Sequence, residues 1–431
     1  MKLYWYYDAF RHTCLNGEGK DYTPAYLPLL LKNSGYSVER LPAERLSSLV
    51  AGDVLLLGAE VLSEEQSAAL QVALSRGCAV IAFGAVAAGV FPEFTREIGN
   101  EDVYNVLGYF RFSGGEEPLP VLGSAGVLAP EAGEILGGLT EADGAFCPLY
   151  VRLGERVWYW SFDLPGSLWR AADGRPTTEG KNGFSLGRIP DGYVVGPGHN
   201  YSVAYADSYM RCLEEILSGA GFPRFYPLPV REGMPCDLAL YFGGDDDATS
   251  SEIDLKAAAN MRERGLPYHL NLMPMDEEGH FRLTREQVQQ LHEGGCETAI
   301  HYNFLMFPYS DEGHRVQSEM YERAFGEVSV GPVNHCLIQH GSAAERYRME
   351  AENGALGDNS RFQIEPDAKD VNAFNLTGFA SGTAFPRFVL CDAAHGNRPL
   401  KFCEVAMSYY EPRIRSGLPE EYRKIRSEAH V

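Results

Sequence analysis

Between residues 53 and 83 the chain carries two short apolar runs on either side of one amphipathic helix signal. That arrangement restricts the fold more than any other feature. Asp53-Val54-Leu55-Leu56-Leu57-Gly58 has no polar residue between its ends, and Cys78-Ala79-Val80-Ile81-Ala82-Phe83 repeats the pattern. Such runs suit strands buried on both faces of a sheet. The intervening residues 63–76 open with Ser63-Glu64-Glu65-Gln66, a capping-box pattern, and stop at Gly77. Residues 2–7 and 36–40 read as further strands. Residues 24–32 read as a helix, with Pro24 at its start and Gly35 beyond its end. The alternation implies a parallel sheet with helices on both faces.

From about Val103 the pattern changes. Residues 104–112, 145–153 and 156–162 read as strands separated by Gly- and Pro-containing turns, the last marked by Val157-Trp158-Tyr159-Trp160. Residues 167–200 are rich in Gly and Pro and weakly patterned, as expected for a long surface loop or lid. A helix is expected over 205–217, and the Pro-rich stretch 223–235 is the candidate domain boundary. Strand–helix alternation then resumes. Helices are expected at 251–264, 284–293, 312–325 and 343–353, with strands at 238–242, 267–273, 296–302 and 333–338. Repeated units running one way suggest a (β/α) barrel, complete or not. The division is thus residues 1–225 and 236–431.

Composition narrows the function. A formal net charge of −22 argues against nucleic-acid or anionic-membrane surfaces, which need basic patches. No run approaches the length of a membrane-spanning helix and no secretory signal is visible at the N-terminus. The 9 cysteines are scattered and never form C-x-x-C, which fits reduced thiols in a cytoplasmic protein. Oligomeric state is not legible.

The chemistry concentrates in the second half. Asp245-Asp246-Asp247 follow the apolar run 238–242 after Gly243-Gly244, at the C-terminal mouth of an expected parallel strand. That is where α/β folds gather catalytic groups. Three adjacent carboxylates repel one another, a cost offset by a cation or by raised pKa values. The triplet therefore reads as a metal site or an acid/base site, or else as a solvated acidic loop capping the helix near Ser251. Of the 11 histidines, all but His12, His199 and His430 fall in the second half. Imidazole with carboxylate suits Zn²⁺ or another divalent first-row ion. His301 ends the strand at 296–302, at the same mouth as the aspartates, while His335 and His340 bracket Cys336-Leu337-Ile338-Gln339. His269, His280, His292 and His314 read as structural or solvated.

These residues carry a resemblance. Ala239-Leu240-Tyr241-Phe242 followed by Asp246-Asp247-Ala248 resembles the strand-plus-F-D-D-G motif of NodB-type polysaccharide deacetylases, carbohydrate esterase family 4. Gly265-Leu266-Pro267 entering the next strand, and Gly294-Gly295-Cys296-Glu297-Thr298-Ala299-Ile300-His301, resemble its following units in order across residues 236–340. The resemblance implies a metal-dependent hydrolase of an N-acetylated carbohydrate, small or oligomeric, or of a related amide. Asp246 would be the catalytic base, Asp247 and His301 metal ligands, with Asp245 a further candidate ligand. The family's second metal histidine falls on Leu305, which cannot bind metal. His335 is the best substitute as a catalytic or metal residue. Tyr302, Asn303 and His340 are the expected substrate contacts. A catalytically inactive carbohydrate-binding module of the same fold is the alternative.

Residues 1–225 resemble the flavodoxin-like class I glutamine-amidotransferase fold. The turn Phe83-Gly84-Ala85-Val86-Ala87, where that family carries its nucleophile, has no cysteine, so glutaminase chemistry is not expected. The Rossmann glycine pattern and the Walker loop are absent too. The expected fold is therefore α/β, a flavodoxin-like parallel sheet followed by a deacetylase-type (β/α) barrel.

Overall fold

The computed structural model describes residues 1–180, 186–194, 203–225, 230–231, 234–235, 242–247, 250–361, 379, 381–383 and 385–405. The first half contains strands β1 (Leu3–Tyr7), β2 (Glu39–Pro42), β3 (Val54–Leu57), β4 (Ala79–Phe83), β5 (Arg96–Gly99) and β6 (Val106–Phe112). It continues with β7 (Leu119–Leu122), β8 (Ser124–Val127), β9 (Glu134–Thr140), β10 (Phe146–Leu153) and β11 (Val157–Trp160). Nine of them form one sheet in the order β2-β1-β3-β4-β11-β10-β9-β6-β7, and β5 pairs with β8 beside it. Every pairing from β2 to β11 is parallel, and every pairing from β11 to β7 is antiparallel. The strands expected beyond residue 103 thus extend the same sheet.

Both faces of the parallel part are covered, which is why its strands are apolar throughout. Leu3, Trp5, Val54, Leu56, Ile81 and Phe83 pack into one core, and their alternates Tyr4, Tyr6, Leu55, Leu57, Val80 and Ala82 into the other. Helices α1 (Ala9–Gly17), α2 (Leu27–Asn33), α3 (Glu64–Ser75), α4 (Leu164–Asp173) and α5 (Tyr205–Gly219) flank the sheet. Ser63 and Gln66 close the expected capping box on α3. The stretch expected to be a surface loop instead begins with α4. Asp163 caps that helix, Pro165 sits in its first turn, and Leu168, Trp169 and Ala172 bury its inner face.

Short strands β12 (Val230–Arg231) and β13 (Met234–Pro235) pair within the Pro-rich connector. The expected strand at 238–242 lies, up to residue 241, outside the described residues. The second half then runs β14 (Gly243–Asp245), α6 (Ser251–Glu263), β15 (Tyr268–Leu272), α7 (Arg285–Glu293), β16 (Cys296–Tyr302), α8 (Asp311–Phe325), β17 (Val333–Asn334) and α9 (Ala343–Glu352). Strands β14-β15-β16-β17 form a sheet in that order, all parallel. Strands β18 (Gly357–Asp358), β19 (Arg387–Leu390) and β20 (Pro399–Glu404) make a second, mixed sheet in the order β18-β20-β19. Among the described residues no strand pairing closes these into a barrel. The protein is mixed α/β with one large, parallel-rich sheet, and among the described residues no helix is long and apolar enough to cross a membrane.

A buried ion network ties the halves together. Arg387 reaches Asp173 of α4 at 2.6 Å and also bonds Glu404. Arg361 holds Glu404 at 2.9 Å and the Asp173 carbonyl at 2.6 Å, while Arg346 pairs with Asp358 and Glu404. Burial alone would raise the Glu404 carboxyl, but Arg387, Arg361 and Arg346 together hold it down at about 2.

Candidate metal centre

The parallel order of β14, β15, β16 and β17 brings their C-terminal ends to one edge, where the expected residues meet. Asp247 lies just past β14, His301 near the end of β16, and His335 directly after β17. One ligand atom from each lies within 4.8 Å of the others. His335 Nε2 is 3.2 Å from Asp247 Oδ2, and the His301 and His335 rings stand edge to face with centroids 5.2 Å apart. His301 is buried, and its Nδ1 lies 3.1 Å from the Val333 carbonyl oxygen. A carbonyl only accepts, so Nδ1 carries the proton and the Nε2 lone pair faces the carboxylates. This is the tautomer metal-ligating histidines adopt.

The electrostatics are those of a cluster of opposed charges. Asp247 is held below the ordinary carboxylate range by its hydrogen bond to His335, against the opposing effect of burial, with help from His301. Burial lowers His301, partly offset by Asp245. Burial would lower His335 as well, but bonding to Asp247 and the neighbouring Cys336 thiol outweighs it and raises the imidazole to about 9. Two imidazoles and a carboxylate at this spacing fit a divalent first-row cation, with Zn²⁺ among the candidates.

The other expected residues divide. Asp245 sits at the rim, its side chain 38% exposed, with Oδ2 at 3.9 Å from His301 Nε2. Asn271 Nδ2 donates to Asp245 Oδ1 at 2.8 Å, and Asn271 Oδ1 lies 2.9 Å from His269 Nε2. Asp246, expected as the base, is turned away. It is fully buried, Oδ1 accepts the Met273 amide at 2.8 Å, and it neighbours Asp254 and Arg282. Asp245 is the last residue of β14 and Asp247 already lies in a turn, so the three adjacent carboxyls face different surroundings. Burial pushes the Asp246 carboxyl up to about 7.

Tyr302, expected to contact substrate, is a core residue. It points opposite to His301, bonds Ser318 of α8 at 2.7 Å and stacks on Phe304, which is buried with it. Asn303 is buried, donating Nδ2 to the Pro274 carbonyl at 3.3 Å while its amide donates to Gln317. His340 is exposed and edge-on to Tyr309, and no ion pair or hydrogen bond among the described residues joins it to the cluster. Leu305 is 56% exposed. His292 bonds Thr298, His314 bonds the Ser310 carbonyl inside the α8 cap, and His280 pairs with Asp276 on the surface. Asp276, Glu278 and His280 form a second possible ligand group, but it lies on an exposed turn.

Sequence reasoning passed over three contributors: Asn271, which orients Asp245; Arg282, whose Nη2 donates to the Asp247 carbonyl at 3.3 Å; and Cys336 beside His335. The alternation His269-Leu270-Asn271 on β15 was the available signal for the first. The other two depend on loop geometry and left none.

No family model matches the chain, and no curated protein matches it. Among solved structures, one from Mycobacterium smegmatis described as a putative polysaccharide deacetylase aligns with a TM-score of 0.28 and 14% identity. The alignment covers 44% of this chain and 72% of that one. A likeness that loose carries no argument about fold or activity.

Proposed function

We propose that Asp247, His301 and His335 hold a divalent cation, and that the protein hydrolyses an amide, the acetamido group of a small or oligomeric carbohydrate being the leading substrate class. The observation that carries this is the convergence of the three donors, with the His301 tautomer fixed by Val333. The motif order across residues 236–340 supports a deacetylase-type second domain. For the first domain, the strand order β2-β1-β3-β4-β11 is that of flavodoxin-like sheets, which supports that reading.

A bound divalent cation would supply Lewis acidity to the amide carbonyl and lower the pKa of water. The chain's own residues do the rest. Asp245, half-exposed and oriented by Asn271, is the carboxylate placed to accept a proton, in place of Asp246. With His335 held among the ligands, Asp245 would pass the proton it accepts on to the leaving amine.

The second reading is a carbohydrate-binding module without activity. It is favoured by Leu305, exposed where the resembled family carries a metal histidine. Metal analysis of the purified protein separates the two. Bound zinc, nickel, cobalt or manganese, lost in Asp247→Ala and His301→Ala, supports the hydrolase, and acetate release from acetylated chito-oligosaccharides then tests the substrate. A protein with no bound metal and no divalent-ion thermal shift defeats it.

A further inference from the structure

We propose that Arg188, on a strap from the first half of the chain, is a positioning residue for His335. The argument starts from backbone geometry. Cys336 and Leu337, which follow His335, have φ of 56° and 58°. That left-handed region is unfavourable for any residue with a Cβ, and two consecutive non-glycine residues there are uncommon. Such a conformation persists only where its surroundings hold it.

The holders are identifiable. Arg188 Nε donates to the Cys336 carbonyl at 2.8 Å, and the Gln339 amide donates to the Gly187 carbonyl at 2.9 Å. Arg188 and Ile338 form an antiparallel bridge. From within the strand, Asn334 Nδ2 donates to the Ile338 carbonyl at 2.9 Å. Beyond the turn, Thr177 and Gly341 exchange both backbone hydrogen bonds, at 2.9 and 2.7 Å. The turn is therefore clamped by Asn334 on one side and by the strap on the other.

This turn sets where the imidazole sits. Strand β17 ends at Asn334, and the reversal after His335 leaves its Nε2 at 3.2 Å from Asp247. Released from the strap, the backbone relaxes out of the left-handed region and carries the ring away from Asp247 and His301. The first half of the chain thus shapes the cluster by holding the backbone that follows His335, through the Arg188 side chain and through main-chain bonds. The purpose of the brace rests on the cation-site reading; its geometry does not.

The test uses the full chain with Arg188→Ala, Arg188→Lys, Cys336→Gly and the Arg188→Ala/Cys336→Gly double variant. Two quantities are read: amide hydrogen exchange across residues 333–341 in metal-free protein, and Co²⁺ affinity by absorbance titration. Arg188→Ala is expected to speed exchange there by about tenfold, with peptides of β15 and α8 unchanged. It is expected to weaken Co²⁺ binding by about 10- to 100-fold, as loss of groups that orient metal ligands does. Lysine, which keeps a donor, recovers part of both. Glycine at 336 adopts a positive φ without strain, so Arg188→Ala costs less in that background. Unchanged exchange in Arg188→Ala overturns the brace, and an equal loss with and without Cys336→Gly overturns its basis in strain. An exchange effect in a protein that binds no Co²⁺ upholds the brace and defeats the cation reading instead.

Discussion

Asp245→Asn and Asp246→Asn remove the same charge from adjacent positions and are expected to fail in different ways. Asp245 lies at the rim, near His301, with its Oδ1 held by Asn271. An asparagine there can still accept that bond, so stability should change by no more than about 0.5 kcal/mol. If Asp245 accepts the proton, the rate should fall by about 10²- to 10⁴-fold. Asp246 is the reverse case. Its folded pKa is raised from 3.8 to about 7, so the folded state resists its ionisation. The sign follows: the protonated carboxyl favours the fold below the unfolded pKa, and that advantage disappears as pH rises through 7. The gap corresponds to roughly 4 kcal/mol at most, taken as an upper bound. Asparagine keeps an acceptor for the Met273 amide without the charge. Asp246→Asn should therefore be stabilising at pH 8, by up to a few kcal/mol, and near neutral at pH 4, with activity largely retained. Urea denaturation at the two pH values and acetate release from chito-oligosaccharides measure both effects. An Asp246→Asn protein that folds normally but loses 10²-fold in rate, beside an active Asp245→Asn protein, would refute the assignment.

Cation binding at pH 7 should release about one proton, because His335 stays protonated in the metal-free protein up to about 9. Affinity should then rise about tenfold per pH unit between 7 and 8. Calorimetry in buffers of different ionisation enthalpy measures the proton, and a count of zero contradicts the pairing with Asp247. Asp247→Ala should abolish bound metal in elemental analysis while leaving the melting temperature within a few degrees, since the side chain is partly exposed. Glu404→Gln should cost about 3–5 kcal/mol, read from the urea midpoint, because it strips a charge from three buried guanidinium groups. Glu404 lies below its unfolded pKa of 4.5, so its contribution is present above that value and is lost as pH falls toward 2.

Much of the second half was legible because local signals and global fold agree there. Residues 296–302 were expected as a strand and form β16 with those bounds, and the helix expected over 284–293 is α7, with Thr284 as its cap. The parallel order then puts Asp247 and His301 at one edge without further information. What alternation alone could not settle was which aspartate faces the histidines. β14 starts at Gly243 and stops at Asp245, so no strand alternation runs on through Asp246 and Asp247. The strand expected over 333–338 is cut to Val333–Asn334, because Cys336 and Leu337 take the left-handed conformation. Nothing in Cys336-Leu337 signals a turn. The contacts that hold it come from Asn334 and from the strap, which is distant in sequence.

The Pro-rich connector divides the sequence, but the buried charges cross that division. Three guanidinium groups, Arg346, Arg361 and Arg387, lie in a cluster with four carboxyls, Asp173, Asp358, Glu350 and Glu404. Burial, reinforced by Asp358, holds the Glu350 carboxyl well above the ordinary range. Asp173 comes from α4 in the first half; without it, among the described residues, Arg387 would have Glu404 as its one carboxyl partner, itself shared with Arg346 and Arg361. A buried charge left uncompensated costs several kcal/mol, comparable to a large fraction of the stability of a whole domain. The second half therefore takes one carboxyl partner of Arg387 from α4, and under the proposed brace it takes the hold on the turn after His335 from the strap. Both contacts reach from the first half into the second, and under the cation-site reading the brace makes the first half part of the site's architecture.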